Sequence, residues 1–335
     1  MTLSIDWSED IQCQLTAEPL PKDMLERAQY AEYLTTYLKQ FKNESYVFNI
    51  NSSWGTGKTY FIKRWAESLS SKHPVVYFNS WKFDHNNEPL ILILSEIIQQ
   101  LTDLVKDPQY QEKKDKLTKS VTKTLKHIAP TLGKGIFKKV SGVNWDDLID
   151  EPADEEKDQI NFNSELVSIS TQAILNLHTQ QQDSIDELKV QISTILSEVL
   201  TSNNLDGENR WSPMYVFVDE LDRCRPTFAI EVLEVIKHIF DIPRIIFVIA
   251  TDTGQLQHSI RAVYGNEFDA EKYLMRFFKR SFSLPEPSLE LYVKQLGSFE
   301  LIKSRLVESS KLNIFEIDEN TAANLIVIIL EGYKL

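Results

Sequence analysis

Six consecutive residues, Trp54-Gly-Thr-Gly-Lys-Thr59, combine two glycines with a lysine and a hydroxyl side chain. Glycines let successive backbone N–H groups converge on an anion without a Cβ in the way. A lysine placed after them is suited to reach β- and γ-phosphates, and a threonine hydroxyl is suited to ligate Mg²⁺. The residue types and their spacing therefore predict a phosphate-binding loop, or Walker A motif, with Lys58 on the phosphates and Thr59 on the metal.

The predicted nucleotide contacts extend along the whole loop. They are Trp54, Gly55, Thr56, Gly57, Lys58, Thr59 and Tyr60. The full pattern asks for a glycine five residues before Gly57, and this chain has Ser52 there. Because Gly55 and Gly57 remain, the tight part of the loop is intact, but the motif needs a second site to support it.

The elements around the loop fit this interpretation. An apolar run, Tyr46–Ile50, precedes it and reads as a strand. The residues after it have helical spacing: Phe61, Ile62, Trp65, Ala66 and Leu69. A helix that begins here directs its positive end at the same anion.

A second candidate site follows another apolar run, Tyr215–Val218, which predicts a buried parallel strand ending in carboxylates. Asp219 is placed to hold Mg²⁺, directly or through water. Glu220 is the natural group to orient and deprotonate an attacking water molecule. An isolated Asp-Glu pair is often only the end of a strand, but together with the first motif it predicts a nucleotide site.

Three further residues are candidates with open alternatives. Asp252, after the apolar strand 244–250, either senses a γ-phosphate or positions water, or forms a turn. Arg223 either acts as a charge sensor or pairs with Asp222. Arg276 either reaches a phosphate, in cis or across a subunit interface, or is an ordinary helix arginine.

Two other side chains lie where the ligand would be. Arg27 is on the polar side of a helix predicted to start near Asp23, where it is either solvated or close to a nucleotide base. Trp81 follows the predicted strand 74–79 and either walls the site or packs within its loop.

Composition limits the class of protein. With 42% hydrophobic and 25% charged residues the chain has the balance of a soluble globular protein. Its net charge of −13 argues against nucleic-acid binding by the whole surface. Two cysteines suggest neither a disulfide framework nor a zinc site, which favours a reducing cytoplasm. We find no signal sequence at the amino terminus and no apolar run of the ~20 residues that span a bilayer.

The pattern predicts three parts. Residues 20–104 and 206–285 form the nucleotide-binding core, and 105–205 form a helical insertion. Residues 286–335 begin a helical C-terminal region. Because the sequence stops inside an apolar helical pattern, we expect that region to be truncated.

The insertion carries a basic amphipathic pattern between Lys113 and Lys139, followed by an acidic block at 146–158. Either the two blocks balance each other on a solvated insertion, or the basic helix docks an anionic partner such as a membrane surface, a nucleic acid or a protein.

With these residues assembled, the chain resembles the KAP family of P-loop NTPases. The matching motifs are Trp54-Gly-Thr-Gly-Lys-Thr59, Phe78-Asn-Ser-Trp-Lys82, Val218-Asp-Glu-Leu-Asp-Arg-Cys224, Phe247-Val-Ile-Ala-Thr-Asp252 and Tyr273-Leu-Met-Arg276. Ser52 departs from the expected glycine, and Glu220 stands where many relatives carry a second aspartate.

The resemblance implies an α/β fold whose parallel sheet is of the additional-strand (ASCE) type, with the Asp252 strand between the phosphate-loop strand and the Asp219 strand. It also implies ATP and Mg²⁺ as ligands, a homo-oligomer, and effector proteins encoded nearby. Many relatives carry transmembrane helices in the insertion. Because this insertion is polar, the soluble bacterial branch, which often occurs in defence against phage, fits better.

We therefore expect a cytoplasmic ATPase whose hydrolysis drives or times a conformational change in an assembly. One alternative is a slow-turnover nucleotide switch or oligomeric scaffold. A P-loop kinase is less favoured, because Asp219 and Glu220 are suited to activating water.

Overall fold

The computed structural model describes residues 4–85, 89–104, 186–187, 189–200, 212–239 and 242–285. The basic segment from Lys113 to Lys139 and the predicted C-terminal region, 286–335, lie outside the described residues.

The described chain alternates strands and helices. The strands are β1 (Ile11–Gln12), β2 (Pro19–Leu20), β3 (Tyr46–Asn51), β4 (Val75–Asn79), β5 (Met214–Asp219), β6 (Ile245–Thr251) and β7 (Arg280–Ser283). The helices are α1 (Arg27–Leu38), α2 (Lys58–Ser70), α3 (Ser80–Phe83), α4 (Pro89–Asp103), α5 (residues 189–200), α6 (Pro226–Ile239), α7 (Thr253–Tyr264) and α8 (Ala270–Leu274).

Five of the strands form one parallel sheet in the order β4-β5-β6-β3-β7. The strand that precedes Asp252 therefore lies between the phosphate-loop strand and the Asp219 strand, which confirms the predicted α/β fold. Parallel neighbours require crossover connections, and helices supply them between the described strands. A separate antiparallel pair, β1 and β2, lies near the amino terminus.

Both faces of the sheet are covered, which explains why its central strands are predominantly apolar. Side chains alternate between two clusters: Val47 packs on one face of β3, whereas Phe48 packs on the other. Helices α4, α5, α6 and α7 cover the Val47 face, and α1 and α2 cover the Phe48 face.

Helix α5 lies inside the segment predicted as an insertion, yet it contributes to the core. Ile192, Ile195 and Val199 are buried against the Val47 face. Arg244, just before β6, donates from Nη2 to Ser197 Oγ at 2.7 Å. The end of the predicted insertion thus returns to the sheet. None of the helices in the described ranges is long and apolar enough to cross a membrane.

The amino-terminal segment, residues 4–23, packs along the outer side of α2. Trp7 is 2% exposed and donates from Nε1 to Ser68 Oγ at 2.8 Å. Arg64 of α2 is also buried, and its Nη2 donates to the carbonyl oxygens of Trp7 (2.9 Å) and Glu9 (2.7 Å). These contacts join the segment to the nucleotide-binding core.

Trp7→Ala should lower the free energy of unfolding by about 3 kcal/mol, because it removes a buried indole that packs edge-on against Phe61. Denaturant titration measures this change. Val263→Ala, at a half-exposed position on α7, is the control and should shift the free energy by less than about 0.5 kcal/mol. Equal effects of the two variants would show that residues 4–23 are not part of the folded core.

Candidate active site

Four strand ends meet at one edge of the sheet because the strands are parallel. β3 ends at Asn51, which pairs with Thr251 at the end of β6. β4 ends at Asn79, which pairs with Asp219 at the end of β5. Residues 52–57 turn over this edge and lead into α2, so the two predicted motifs lie side by side.

The loop has the conformation that its glycines allow. Gly55 and Gly57 both have φ of +83°, a region that other residues enter at a cost. Ser52 does not adopt a positive φ, so the fold does not require the glycine expected there. Instead its hydroxyl hydrogen-bonds the Thr56 hydroxyl at 2.5 Å and closes the loop on itself.

Arg27, in α1, stabilises the loop through a hydrogen bond to its backbone. It is 4% exposed, and its Nη2 donates to the Thr56 carbonyl oxygen at 2.7 Å. Asp23 fixes the start of α1 by accepting from the backbone N–H groups of Arg27 (2.5 Å) and Ala28 (3.1 Å). The solvated interpretation of Arg27 is wrong, because the side chain is buried and contacts the backbone of the loop. A position close to a nucleotide base stays a prediction.

Lys58 begins α2 and is 9% exposed. Its ammonium group donates to the carbonyl oxygens of Ser52 and Ser53, the latter at 3.1 Å, and so lies across the loop. Burial lowers the pKa of Lys58, and three nearby carboxylates oppose that shift: Asp222, Asp252 and Asp219. The lysine is therefore a buried cation at the loop, and its acidic neighbours favour the charged form that phosphate binding requires.

Asp219 is a carboxylate with almost no access to water, at 1% exposure. It accepts from the Tyr77 hydroxyl at 3.0 Å and from the Glu220 backbone N–H at 2.8 Å. Burial raises its pKa to about 6 in spite of these donors. A negative charge at this position is thus incompletely compensated, which suits a ligand for a cation.

Glu220 adopts a left-handed backbone conformation, with φ of 59° and ψ of 27°. Strain of this kind is common at functional sites. Three donors reach its carboxylate: Thr59 Oγ1 at 3.5 Å, Asn79 Nδ2 at 3.3 Å and Arg223 Nη1 at 3.1 Å. The carboxylate therefore faces the start of α2, where the predicted phosphate and metal contacts lie.

Two exposed tryptophans flank this edge. Trp54, in the loop, donates from Nε1 to Asp222 Oδ2 at 2.6 Å and ties the two motifs together. Trp81, in α3, lies with its ring centroid 5.7 Å from the Arg223 guanidinium. Arg223 therefore does not take Asp222 as its partner in this structure.

Asp252 caps α7, because its Oδ1 accepts from the Gln255 backbone N–H at 3.2 Å. The Asp252 charge also favours the charged form of Lys58 by raising its pKa. Asp252 can therefore cap α7 and still have a role at the phosphates. Below the loop, the fully buried Asn49 links three strands, accepting from Thr251 Oγ1 at 3.1 Å and donating to Ser281 Oγ at 2.9 Å.

The structure does not bring every predicted residue to the phosphate side. Arg276 is exposed in the turn between α8 and β7, on the amino-terminal side of β7, whereas the loop lies at the carboxyl ends of the strands. A contact in cis is therefore not formed, and a contact across a subunit interface stays a prediction. Tyr60 points to the amino-terminal segment, where its hydroxyl donates to the Pro21 carbonyl oxygen at 2.9 Å.

Sequence reasoning missed Tyr77 and Asn79 as partners of the two acidic residues. Asn79 ends a strand predicted to be buried, and a polar residue at that point was the available signal. The Asn49 network had a comparable signal, because this amide interrupts the apolar run of β3.

The donor set fits Mg²⁺ held together with phosphate oxygens. Within the described ranges, no group of three or more His, Cys, Asp and Glu side chains forms an all-protein metal site. Mg²⁺ commonly takes one or two protein oxygens and completes its shell with water and substrate phosphates. The Thr59 hydroxyl and the Asp219 carboxylate are adjacent, and the hydroxyl acts to lower the pKa of Asp219 against the larger effect of burial.

Comparison with known proteins agrees with this geometry. Residues 27–327 match the model of the KAP family P-loop domain. The phage T7 exclusion protein of Escherichia coli (strain K12) is 23% identical over 287 residues, an alignment that covers 81% of this chain. The chain spans about a third of that protein's length, 34%.

Gly57→Ala should destabilise the fold more than Gly55→Ala, although both glycines have the same φ. A Cβ on Gly57 would come within 2.8 Å of Arg27 Nη1, whereas a Cβ on Gly55 meets nothing within 4 Å. Each variant carries the left-handed backbone cost of about 1–2 kcal/mol, and Gly57→Ala must also displace Arg27 from Thr56. Denaturant unfolding measures the difference in the free energy of unfolding between the two variants. Adding Arg27→Met to both variants should remove this difference.

Asp219→Asn should stabilise the protein at pH 8 and should stabilise it less at pH 5, in EDTA. Below the ordinary pKa of 3.8 the carboxyl is protonated whether the chain is folded or not; between about 4 and 6 the unfolded chain releases its proton first, so rising pH favours unfolding. The amide avoids this loss, which amounts to up to about 3 kcal/mol. Denaturant titrations at both pH values that show no larger gain at pH 8 than at pH 5 would contradict a raised pKa of Asp219.

Proposed function

Because the chain belongs to the KAP family of P-loop NTPases, we propose that it binds ATP with Mg²⁺ and hydrolyses the terminal phosphate. The observation that carries this proposal is the position of Glu220, whose carboxylate lies 3.5 Å from the Thr59 hydroxyl at the start of the phosphate-loop helix. A base so close to a phosphate and metal site is placed to act on water that attacks a γ-phosphate.

Each residue has a distinct part in the reaction. The N–H groups of the loop and of the first turn of α2 bind the phosphates, with Gly57 at the N-cap. Lys58 places its charge on the β- and γ-phosphates, where it stabilises the charge that develops as the bond breaks. Glu220 orients the attacking water and takes its proton.

Thr59 and Asp219 would hold the metal ion, and Tyr77 and the Glu220 N–H orient the Asp219 carboxylate for this task. A metal ion held by these residues would supply positive charge that offsets the charge developing on the phosphates. Asp252 remains a candidate for γ-phosphate sensing, because its charge acts on Lys58. Arg276 is a candidate only across a subunit interface.

Hydrolysis is favoured over transfer to a second substrate by the same pair of acidic residues. Asp219 is assigned to the metal and Glu220 to water, and both are engaged by donors of the site itself. A kinase would release a phosphorylated acceptor, whereas this protein is expected to release free phosphate.

For the cellular role we propose a cytoplasmic ATPase that assembles as a homo-oligomer and drives or times a conformational change in a complex with effector proteins encoded nearby. The similarity to a phage exclusion protein supports a part in defence against phage. The alternative is a switch or scaffold, in which ATP binding orders the oligomer and turnover is too slow to matter.

Glu220→Gln should retain ATP binding and lose at least about 100-fold in phosphate release, because the amide cannot accept a proton from water. Lys58→Met should instead lose ATP binding. Isothermal titration with ATP and Mg²⁺ and a phosphate-release assay measure the two properties separately. Hydrolysis by Glu220→Gln at the wild-type rate would rule out Glu220 as the base.

The same variant separates the two cellular roles. In a phage-protection assay, a machine that needs turnover loses function in Glu220→Gln, whereas a switch stays locked in its active state. Accumulation of a phosphorylated acceptor in place of free phosphate would identify a kinase.

A further inference from the structure

The turn after β5 brings a positive charge back onto the proposed base. A 3-10 turn spans Leu221–Arg223, and the backbone N–H of Arg223 donates to the Glu220 carbonyl oxygen at 3.2 Å. This turn places Arg223 Nη1 3.1 Å from Glu220 Oε1. The Glu220 side chain is 12% exposed and that of Arg223 is 46% exposed, so the pair lies at the boundary between the site and solvent.

The pairing is selective. Asp222 lies next to Arg223 in sequence, but its carboxylate accepts from Trp54 Nε1 and is buried. The guanidinium instead lies over the Trp81 ring, with its carbon 5.7 Å from the ring centroid. A guanidinium can contact an aromatic ring and still donate its N–H groups to an acceptor, here Glu220.

The charge of Arg223 also acts on Lys58, the residue assigned to the phosphates. Burial is the main reason why the pKa of Lys58 is lowered, and the positive charge of Arg223 acts in the same direction. Two cations that repel each other across a site are both stabilised by an anion between them. A γ-phosphate on Lys58 would be such an anion.

The contact has a consequence for the proposed base. A carboxylate oxygen held by a guanidinium is less free to contact a water molecule. A terminal phosphate carries more charge than a carboxylate and forms stronger bidentate contacts with arginine, so it competes for the same guanidinium. If Arg223 moves to the phosphate, Glu220 loses its cationic partner and keeps the Asn79 contact that orients it.

We propose that Arg223 is a γ-phosphate sensor that exchanges its ion pair with Glu220 for the terminal phosphate, so that ATP, and not ADP, frees Glu220 to act on water. This inference rests on the proposed function, because it requires a nucleoside triphosphate at Lys58. Under this proposal, Arg223 contacts the terminal phosphate of the substrate and also controls whether Glu220 is free to act as the base.

The proposal is tested by comparing how tightly the protein binds a nucleoside triphosphate and a nucleoside diphosphate. Arg223→Gln should weaken binding of the non-hydrolysable β,γ-imido analogue of ATP by about tenfold or more, because it removes charged hydrogen bonds to the terminal phosphate. The same variant should bind ADP within about twofold of the wild type. Titration calorimetry of both nucleotides with Mg²⁺ gives the ratio of their two dissociation constants. Arg223→Lys should restore part of the wild-type ratio.

Arg225→Gln is the matched control. Arg225 lies two residues away, has a comparable side-chain exposure of 49%, and pairs with Asp84 at 3.3 Å instead of Glu220. It should keep the wild-type ratio. The sensor role is overturned if Arg223→Gln keeps that ratio, or if it loses both nucleotides equally. A wild-type protein that binds neither nucleotide would instead refute the proposed function itself.

Discussion

The site depends on a negative charge that the fold buries without full compensation. Asp219 ends a strand with neighbours on both sides and helices on both faces, and its environment holds the pKa near 6. Tyr77 and the Glu220 N–H fix its direction but supply no positive charge. A fold that tolerates this cost has a carboxylate prepared for a cation, and the rest of the edge is arranged around that requirement.

Much of the site could be predicted from short stretches of sequence because glycine, lysine and acidic residues interrupt strongly apolar runs. Lys58, Thr59, Asp219 and Glu220 all stand at such interruptions, and the parallel sheet brings them together. The order of the strands was available only through resemblance to a family. Strand β7 escaped notice because it is short and polar, and only its pairing with β3 identifies it as a strand.

The parts that were missed depend on contacts between distant segments. Arg27 looked like a surface residue of α1, and only the packing of that helix shows that its guanidinium reaches Thr56. The turn that joins Arg223 to Glu220 rather than to Asp222 depends on the left-handed conformation of Glu220 and on a tryptophan from the other motif. Neither of these contacts can be predicted from neighbouring residues in the sequence, whereas charge and hydrophobic periodicity predict the main helices and strands.

A series of side-chain contacts connects the amino-terminal segment to the phosphate loop. Residues 4–23 are attached to α2 through Trp7 and Arg64, and they end at Asp23, which fixes the first turn of α1. One side chain of that turn, Arg27, then grips the loop. A displacement of residues 4–23 would therefore reach the loop through these contacts, of which the last is the Arg27 hydrogen bond to Thr56.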